Sequence, residues 1–223
     1  MDKYVIIVAG GKGLRMGSDL PKQFIPFEGK PVLMHTLEAF YHWDTTVRQI
    51  LVLPSDHQGY WQMLCEELKC KIPHQIATGG ETRFHSVLSG LRFVHTDGLV
   101  AVHDGVRPFV TPDVISACFE EAERSGAAIP ALPMIDSLRK KEKEESIPVD
   151  RSLYYTVQTP QVFRSDLLLE SYKQTFSPVF TDDASVVEAM EHKIRMVPGN
   201  RENIKITDPF DLLVAGALFS KSN

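Results

Sequence analysis

The sequence predicts a three-layer α/β fold, a doubly wound and mostly parallel sheet, and three observations carry that prediction. Residues 5–8 and 99–102, and 49–53 after its opening Gln49, are short aliphatic runs without polar alternation, the pattern of strands covered on both faces. Helix-period segments separate them, which implies parallel pairing through right-handed crossovers. No repeat or composition break divides the 223 residues, so one domain over 1–223 is expected.

The elements follow in order. The strand at 5–8 ends in Ala9-Gly10-Gly11, and residues 32–41 read as a helix with Leu33, Leu37 and Phe40 on one face. A strand at 49–53 and a helix at 58–68 come next, with Trp61, Leu64 and Leu68 inward. A short strand at 75–76 runs to Gly79-Gly80, ahead of a helix over about 82–94. The strand at 99–102, a helix at 112–125 and a strand at 127–132 complete the regular part. Residues 136–156 break the rhythm: the mixed charge run 139–145 has no apolar period, while its flanks look strand-like. A two-stranded arm fits, and because an isolated hairpin is marginally stable, a second subunit is the expected support. Helices at 165–176 and 183–191, a strand at 194–197 and a helix from Asp208 close the chain.

Composition narrows the function classes. A formal charge of −5 argues against a broad nucleic-acid surface, though not against a local basic pocket. No apolar run approaches the ~20 residues that span a bilayer, and no charged-then-apolar leader opens the chain, so a cytoplasmic protein is expected. The three cysteines lack CxxC spacing and read as reduced, buried thiols. The histidines show no zinc-ligand spacing, and His103 reads as structural.

The most informative stretch is residues 9–17, Ala-Gly-Gly-Lys-Gly-Leu-Arg-Met-Gly. Its early glycines let backbone N–H groups approach a polyphosphate. A dinucleotide fingerprint begun at Gly11 meets Met16 where its third glycine belongs, and a P-loop begun at Gly10 meets Arg15. A glycine loop carrying Lys12, Arg15 and then Lys22 remains. In doubly wound sheets ligands collect at the carboxyl ends of strands, so the loops after Val8, Ala77 and Val102 should converge.

These residues resemble the opening of the sugar-phosphate nucleotidyltransferases, and among them most closely the 2-C-methyl-D-erythritol 4-phosphate cytidylyltransferases. The resemblance continues in order through residues 79–83 with Ser86-Val87, 103–109, 149–151, 158–161, 181–185 and 203–207. It implies attack by a phosphate monoester on the α-phosphorus of CTP, releasing pyrophosphate. A monoester is already largely dianionic at neutral pH, its second pKa being near ~6, so no side-chain base is required. Positioned cations and a divalent metal, Mg²⁺, meet the need to hold negative charge together.

By the same resemblance Arg15 and Lys22 stabilise the transition state and Lys205 positions the attacking phosphate. Arg151, on the arm, grips the substrate phosphate of a neighbouring subunit. Ala9, Gly10, Gly11, Gly13, Gly79, Gly80, Ser86 and Asp104 form the CTP site, with Asp104 also the candidate Mg²⁺ ligand. Asp104, Arg107, Ser137, Arg151, Thr159, Thr181 and Lys205 face the polyol phosphate. CTP, the polyol phosphate and a second copy of the chain are thus the expected partners.

Two departures bear on the substrate. Asp104-Gly105-Val106-Arg107 has Gly-Val where the erythritol enzymes more often carry two alanines, and ribitol-5-phosphate cytidylyltransferases commonly place a valine beside that arginine. Ser137 stands where many relatives have threonine. Residues 181–185 and 79–87 favour methylerythritol phosphate over ribitol phosphate. A non-catalytic nucleotide-binding regulator on the same fold is the remaining alternative, and the joint presence of Arg15, Lys22, Asp104, Arg151 and Lys205 weighs against it.

Overall fold

The computed structural model describes residues 1–10 and 20–222, so Gly11, Gly13 and Arg15 of the first loop lie outside the described residues. Twelve strands and seven α-helices are assigned among those described. Strands β1 (Asp2–Val8), β4 (Arg48–Leu53), β5 (His74–Thr78) and β6 (Gly98–Asp104) form the parallel heart of an eight-stranded sheet. With β7 (Ala127–Pro133), β10 (Tyr155–Val157) and β11 (Gln161–Arg164), the full order is β10-β7-β11-β6-β1-β4-β5, and β12 (Arg195–Pro198) pairs parallel to β7. Helices α1 (Val32–Trp43), α2 (Ser55–Glu67), α3 (Arg83–Leu91) and α4 (Pro112–Ser125) supply the crossovers.

Alternation along the strands explains the three layers. Val5, Ile7, Leu51 and Leu53 point into one core with Leu33, Leu37 and Phe40 of α1, Trp61 of α2 and Cys118 of α4. Tyr4, Ile6, Ile50 and Val52 point into the other, with Phe84 and Val87 of α3, Leu168 of α5 (Ser165–Ser171) and Val186 of α6 (Asp183–Glu188). No polar face is left on these strands, which is why their sequence shows no alternation. A third cluster ties Phe27 and Val32 to Val106, Ile206 and Ala215 of the last helix, α7 (Pro209–Ser222).

Four expectations need correction. Strand β11 (Gln161–Arg164) runs antiparallel between β6 and β7, where sequence suggested only a motif. Helices α5 and α6 stop at Ser171 and Glu188, short of the expected 176 and 191. Leu68 is exposed, because α2 ends one residue before it; Trp61 is fully buried and Leu64 only partly. Of the cysteines, Cys118 is buried, but Cys65 and Cys70 are half-buried.

The arm is a hairpin of β8 (Leu138–Glu142) and β9 (Glu145–Val149), forming its own two-stranded sheet. Its turn places Lys143 at a φ of 51°, in the left-handed region. Among the described residues no helix is long and apolar enough to cross a membrane.

Candidate active site

Three strand ends meet where the cleft opens. Ala9 N–H donates to the Val52 carbonyl at 3.0 Å, Gly79 N–H to Leu53 at 2.8 Å and Gly105 N–H to Val8 at 2.9 Å. These bonds carry the loops after β1, β5 and β6 to one edge. The open cleft between them, about 250 Å³, is lined by Ala9, Gly10, Lys22, Gly80, Ser86, Asp104 and Lys205, all expected site residues. Arg83, Thr82, Glu81 and Gln23 line it too.

Gly80 shows why this wall is glycine. A Cβ there would sit 2.4 Å from the His85 Cβ, at the start of α3, and the Gly80 N–H donates to Ser86 Oγ at 3.1 Å. Gly105 accounts for one departure from the family pattern: a Cβ would meet the Ala9 Cβ at 2.9 Å and Leu33 at 3.1 Å. Val106 is buried against Phe27 and Ile206, and the Ile206 N–H donates to its carbonyl at 3.0 Å, which fixes the segment carrying Lys205.

Asp104 is the electrostatic centre. Its Oδ2 lies 3.0 Å from Lys205 Nζ and accepts from Arg107 Nε at 3.1 Å, while Oδ1 is 3.9 Å from Arg83 Nε. Burial by itself would raise the carboxyl, yet the charges of Lys205, Arg83 and Arg107 hold it far below the ordinary carboxylate range. It stays ionised and aimed. Lys205, Arg107 and Arg83, with Lys22 across the cleft, outnumber Asp104 and the Asp183 that also pairs Arg83, a local excess of positive charge suited to a polyphosphate.

A buried chain of hydrogen bonds fixes that geometry from behind. The Asp104 N–H donates to Thr159 Oγ1 at 3.1 Å, and the Thr159 hydroxyl lies 3.1 Å from His103 Nδ1. His103 Nε2 is 3.0 Å from the Arg107 carbonyl, which can only accept. The network therefore assigns the proton to Nε2 and makes Nδ1 the acceptor of the Thr159 O–H. Burial pushes the His103 imidazole down to about 4, which keeps it neutral in this role. Arg107 Nη1 also donates to the Asn203 carbonyl at 2.8 Å, and Asn203 Nδ2 to the Thr159 carbonyl at 2.8 Å. Thr159 thus spends its hydroxyl inside the scaffold, beneath Asp104.

Arg83 has no assigned part in the sequence reading. It donates to Asp183 Oδ2 at 2.6 Å, and the fully buried Asp183 also accepts from the Tyr172 hydroxyl at 2.6 Å. One signal was available: a cation in the first turn of a helix opposes the helix dipole unless a partner holds it. The motif at 181–185 likewise divides its labour, with Asp182 capping α6 through the Ser185 N–H at 2.9 Å and Asp183 pairing with Arg83. Thr181, just before them, is exposed.

Lys22 stands on a rigid base. It opens a 3-10 turn, Lys22–Phe24, whose Gln23 and Phe24 are buried. Phe24 stacks on Trp61 and meets the rings of His57 and Tyr60 edge-on, so α2 supports the segment. The charge of Lys22 reaches Asp211 in α7, whose carboxyl lies below its usual range. Burial opposes that shift, and hydrogen bonds from Thr207 and Asp208 with the Lys22 charge prevail.

Ser137 and Arg151 do not reach the cleft of their own chain. Both are exposed and line a shallow groove on the arm, where the Arg151 guanidinium donates to the Ile135 carbonyl.

Sheet order, glycine walls and cations at the carboxyl edge of the strands define a nucleotidyltransferase of the α/β class. The family profile described as 2-C-methyl-D-erythritol 4-phosphate cytidylyltransferase matches residues 3–221. The chain belongs to that family. It is similar to the enzyme of that name from Bacteroides thetaiotaomicron, 58% identical over 98% of this chain and 100% of the relative, and to that of Bacillus licheniformis, 37% identical over 98% and 96%. Among solved structures it is similar to the 4-diphosphocytidyl-2C-methyl-D-erythritol synthase of Anaerococcus prevotii, with a TM-score of 0.84 and 28% identity over 98% and 96% of the chains. The 2-C-methyl-D-erythritol 4-phosphate cytidylyltransferase of Thermus thermophilus gives a TM-score of 0.79 and 33% identity over 98% of each.

Proposed function

We propose that the chain transfers a cytidylyl group from CTP to 2-C-methyl-D-erythritol 4-phosphate. The products are pyrophosphate and the CDP-methylerythritol intermediate of non-mevalonate isoprenoid biosynthesis. Family membership supports the reaction, and the observation that carries it into the geometry is the convergence of Lys205, Arg107 and Arg83 on Asp104 in the glycine-lined cleft shared with Lys22.

In this reading a phosphate oxygen of the polyol attacks the α-phosphorus as the bond to the β-phosphate breaks and pyrophosphate leaves with its electron pair. Lys22 and Arg15 hold the charge that builds on the α-phosphoryl oxygens, and Lys205, fixed against Asp104, orients the incoming phosphate. Gly10, Gly11, Gly13, Gly79, Gly80 and Ser86 bring backbone and hydroxyl donors close to the nucleotide. Thr159 and His103 act through Asp104 and Arg107 by keeping them in place.

Mg²⁺ fits as a shared ligand. Among the described residues Asp104 Oδ1 has no partner nearer than Arg83 at 3.9 Å, and Mg²⁺ is commonly held by one or two carboxylates together with substrate phosphates. Asp104 would hold it with triphosphate oxygens, and the ion would neutralise charge on the leaving group.

The chain acts as one catalytic unit, with residues 136–156 as its dimerisation arm. Exposed apolar side chains on and beside the arm, Ile135, Ile147, Leu153, Tyr154 and Tyr155, support a covered face. A partner would then bring Arg151 and Ser137 to a cleft that lacks them. We place the enzyme in the cytoplasm, where CTP is available.

The test is pyrophosphate release with CTP and Mg²⁺, comparing methylerythritol phosphate with ribitol 5-phosphate. Faster turnover of the first supports the proposal. Faster turnover of ribitol phosphate overturns the substrate, and release with neither overturns the activity.

A further inference from the structure

Helix α2 ends at Glu67, and the chain leaves it through Lys69, whose φ of 52° is left-handed. Two backbone bonds close that end: the Lys69 N–H donates to Glu66 at 3.2 Å, and the Cys70 N–H donates to Cys65 at 2.8 Å. This is a Schellman motif, and Cys65 and Cys70 hold the two positions whose side chains ordinarily meet in an apolar contact. Both are half-buried against the core cluster beneath α2. The Schellman bonds that close the helix end set the Cys65 and Cys70 side chains side by side, the approach a disulfide requires. The pair sits before the first residue of β5, at the sheet edge opposite the cleft.

We propose that Cys65 and Cys70 are a reversible disulfide site, closed by exchange with a low-molecular-weight disulfide. Cys70 attacks first. The hydrogen bond from Cys65 draws its thiol down to about 6 against the opposing effect of burial, with help from the Ile72 N–H and His74 and opposition from Glu38. The Cys70 thiolate bonds to one sulfur of the small disulfide, whose S–S bond breaks to release one thiolate. Cys65, held protonated while it donates to Cys70, then yields its proton to that thiolate. Its sulfur attacks Cys70, forming the Cys65–Cys70 bond and expelling the second small thiolate. Two cysteines are oxidised and one small disulfide is reduced to two thiols. Cys118 is an internal control, since burial pushes its thiol up to about 12.

The full-length protein is incubated with oxidised glutathione near neutral pH, blocked with an alkylating agent and digested with trypsin. Cleavage after Lys69 separates Cys65 from Cys70, so a disulfide leaves two peptides joined. The expected result is loss of two of the three thiols together, a mass lower by two hydrogen atoms, joined peptides, and full recovery with dithiothreitol. Cys65→Ser, which keeps a hydroxyl donor, should retain a stable glutathione adduct on Cys70, and Cys70→Ser should stay unreacted. Three free thiols after incubation, or an adduct that persists on Cys70 of the parent chain, would show that the pair is only an apolar filler and overturn the proposal. Reaction at Cys65 in Cys70→Ser as fast as in the parent would overturn the order of attack.

Discussion

The cleft and the arm place charged residues in opposite physical settings. In the cleft, Asp104 is nearly buried and satisfied by Lys205 and Arg107 at about hydrogen-bond distance, with a second buried layer of His103, Thr159 and Asn203 holding it. On the arm, Arg139, Lys140 and Arg151 are exposed and bond to neighbours on the same hairpin or its base. Charges held in a fixed, water-poor frame keep their orientation and their field, whereas solvated charges lose both to screening and side-chain entropy. The frame around Asp104 is thus organised before any ligand arrives. Arg151 gains such a setting only when another surface covers it.

That contrast can be broken most sharply at Lys22. Lys22→Ala should lower kcat by about 10²–10³-fold, the usual cost of losing one transition-state donor, with little change in CTP affinity. Steady-state kinetics with a separate CTP binding titration would check it, and unchanged kcat would remove Lys22 from the reaction. Next comes the buried frame. His103 titrates near 6.5 when unfolded and near 4 when folded, so the unfolded chain binds the extra proton between those values. The stability it contributes is therefore complete above pH 6.5 and is lost as pH falls through 4, a change of about 3 kcal/mol. Denaturant unfolding across that window should show the decline, and His103→Gln should flatten it.

Smaller effects belong to the arm. Arg151→Ala should raise KM for the polyol phosphate by about ten- to a hundredfold, the value of one or two hydrogen bonds to a charged group, and leave KM for CTP alone. A selective loss of CTP binding would move Arg151 to the wrong substrate. Lys143→Ala, at the hairpin tip, should change neither kinetics nor melting temperature, because its charge is solvated. A measurable defect there would mean that the tip, too, is covered.

The same contrast explains what the sequence could disclose. The cleft was legible because a glycine loop with nearby cations at a strand end has few other physical uses, and Gly80 and Asp104 fall where strand periodicity puts the ligand edge. The pairing of Arg83 with Asp183 was not, because it joins residues 100 apart and only the cation in the first turn of α3 hinted at it. Strand β11 was hidden by its length of four residues and its polar ends, Gln161 and Arg164; its identity comes from pairing with β6 and β7 rather than from its own pattern. Leu68 fits the helical stripe of α2, yet the Schellman end turns the chain away before its side chain reaches the core. The hairpin was readable as an arm, since charged alternation without an apolar period leaves no core-facing surface.

Whether the arm of one subunit completes the cleft of another is tested most directly by mixing. Subunits carrying Lys22→Ala and subunits carrying Arg151→Ala, each nearly inactive alone at low polyol phosphate, are refolded together and the heterodimer is isolated. If the arm crosses, one site of each heterodimer joins an intact cleft to an intact Arg151, and about half of the parent activity per site pair should return. Isolated heterodimers with no recovered activity would contradict this, and would place Arg151 and Lys22 in the service of one and the same chain.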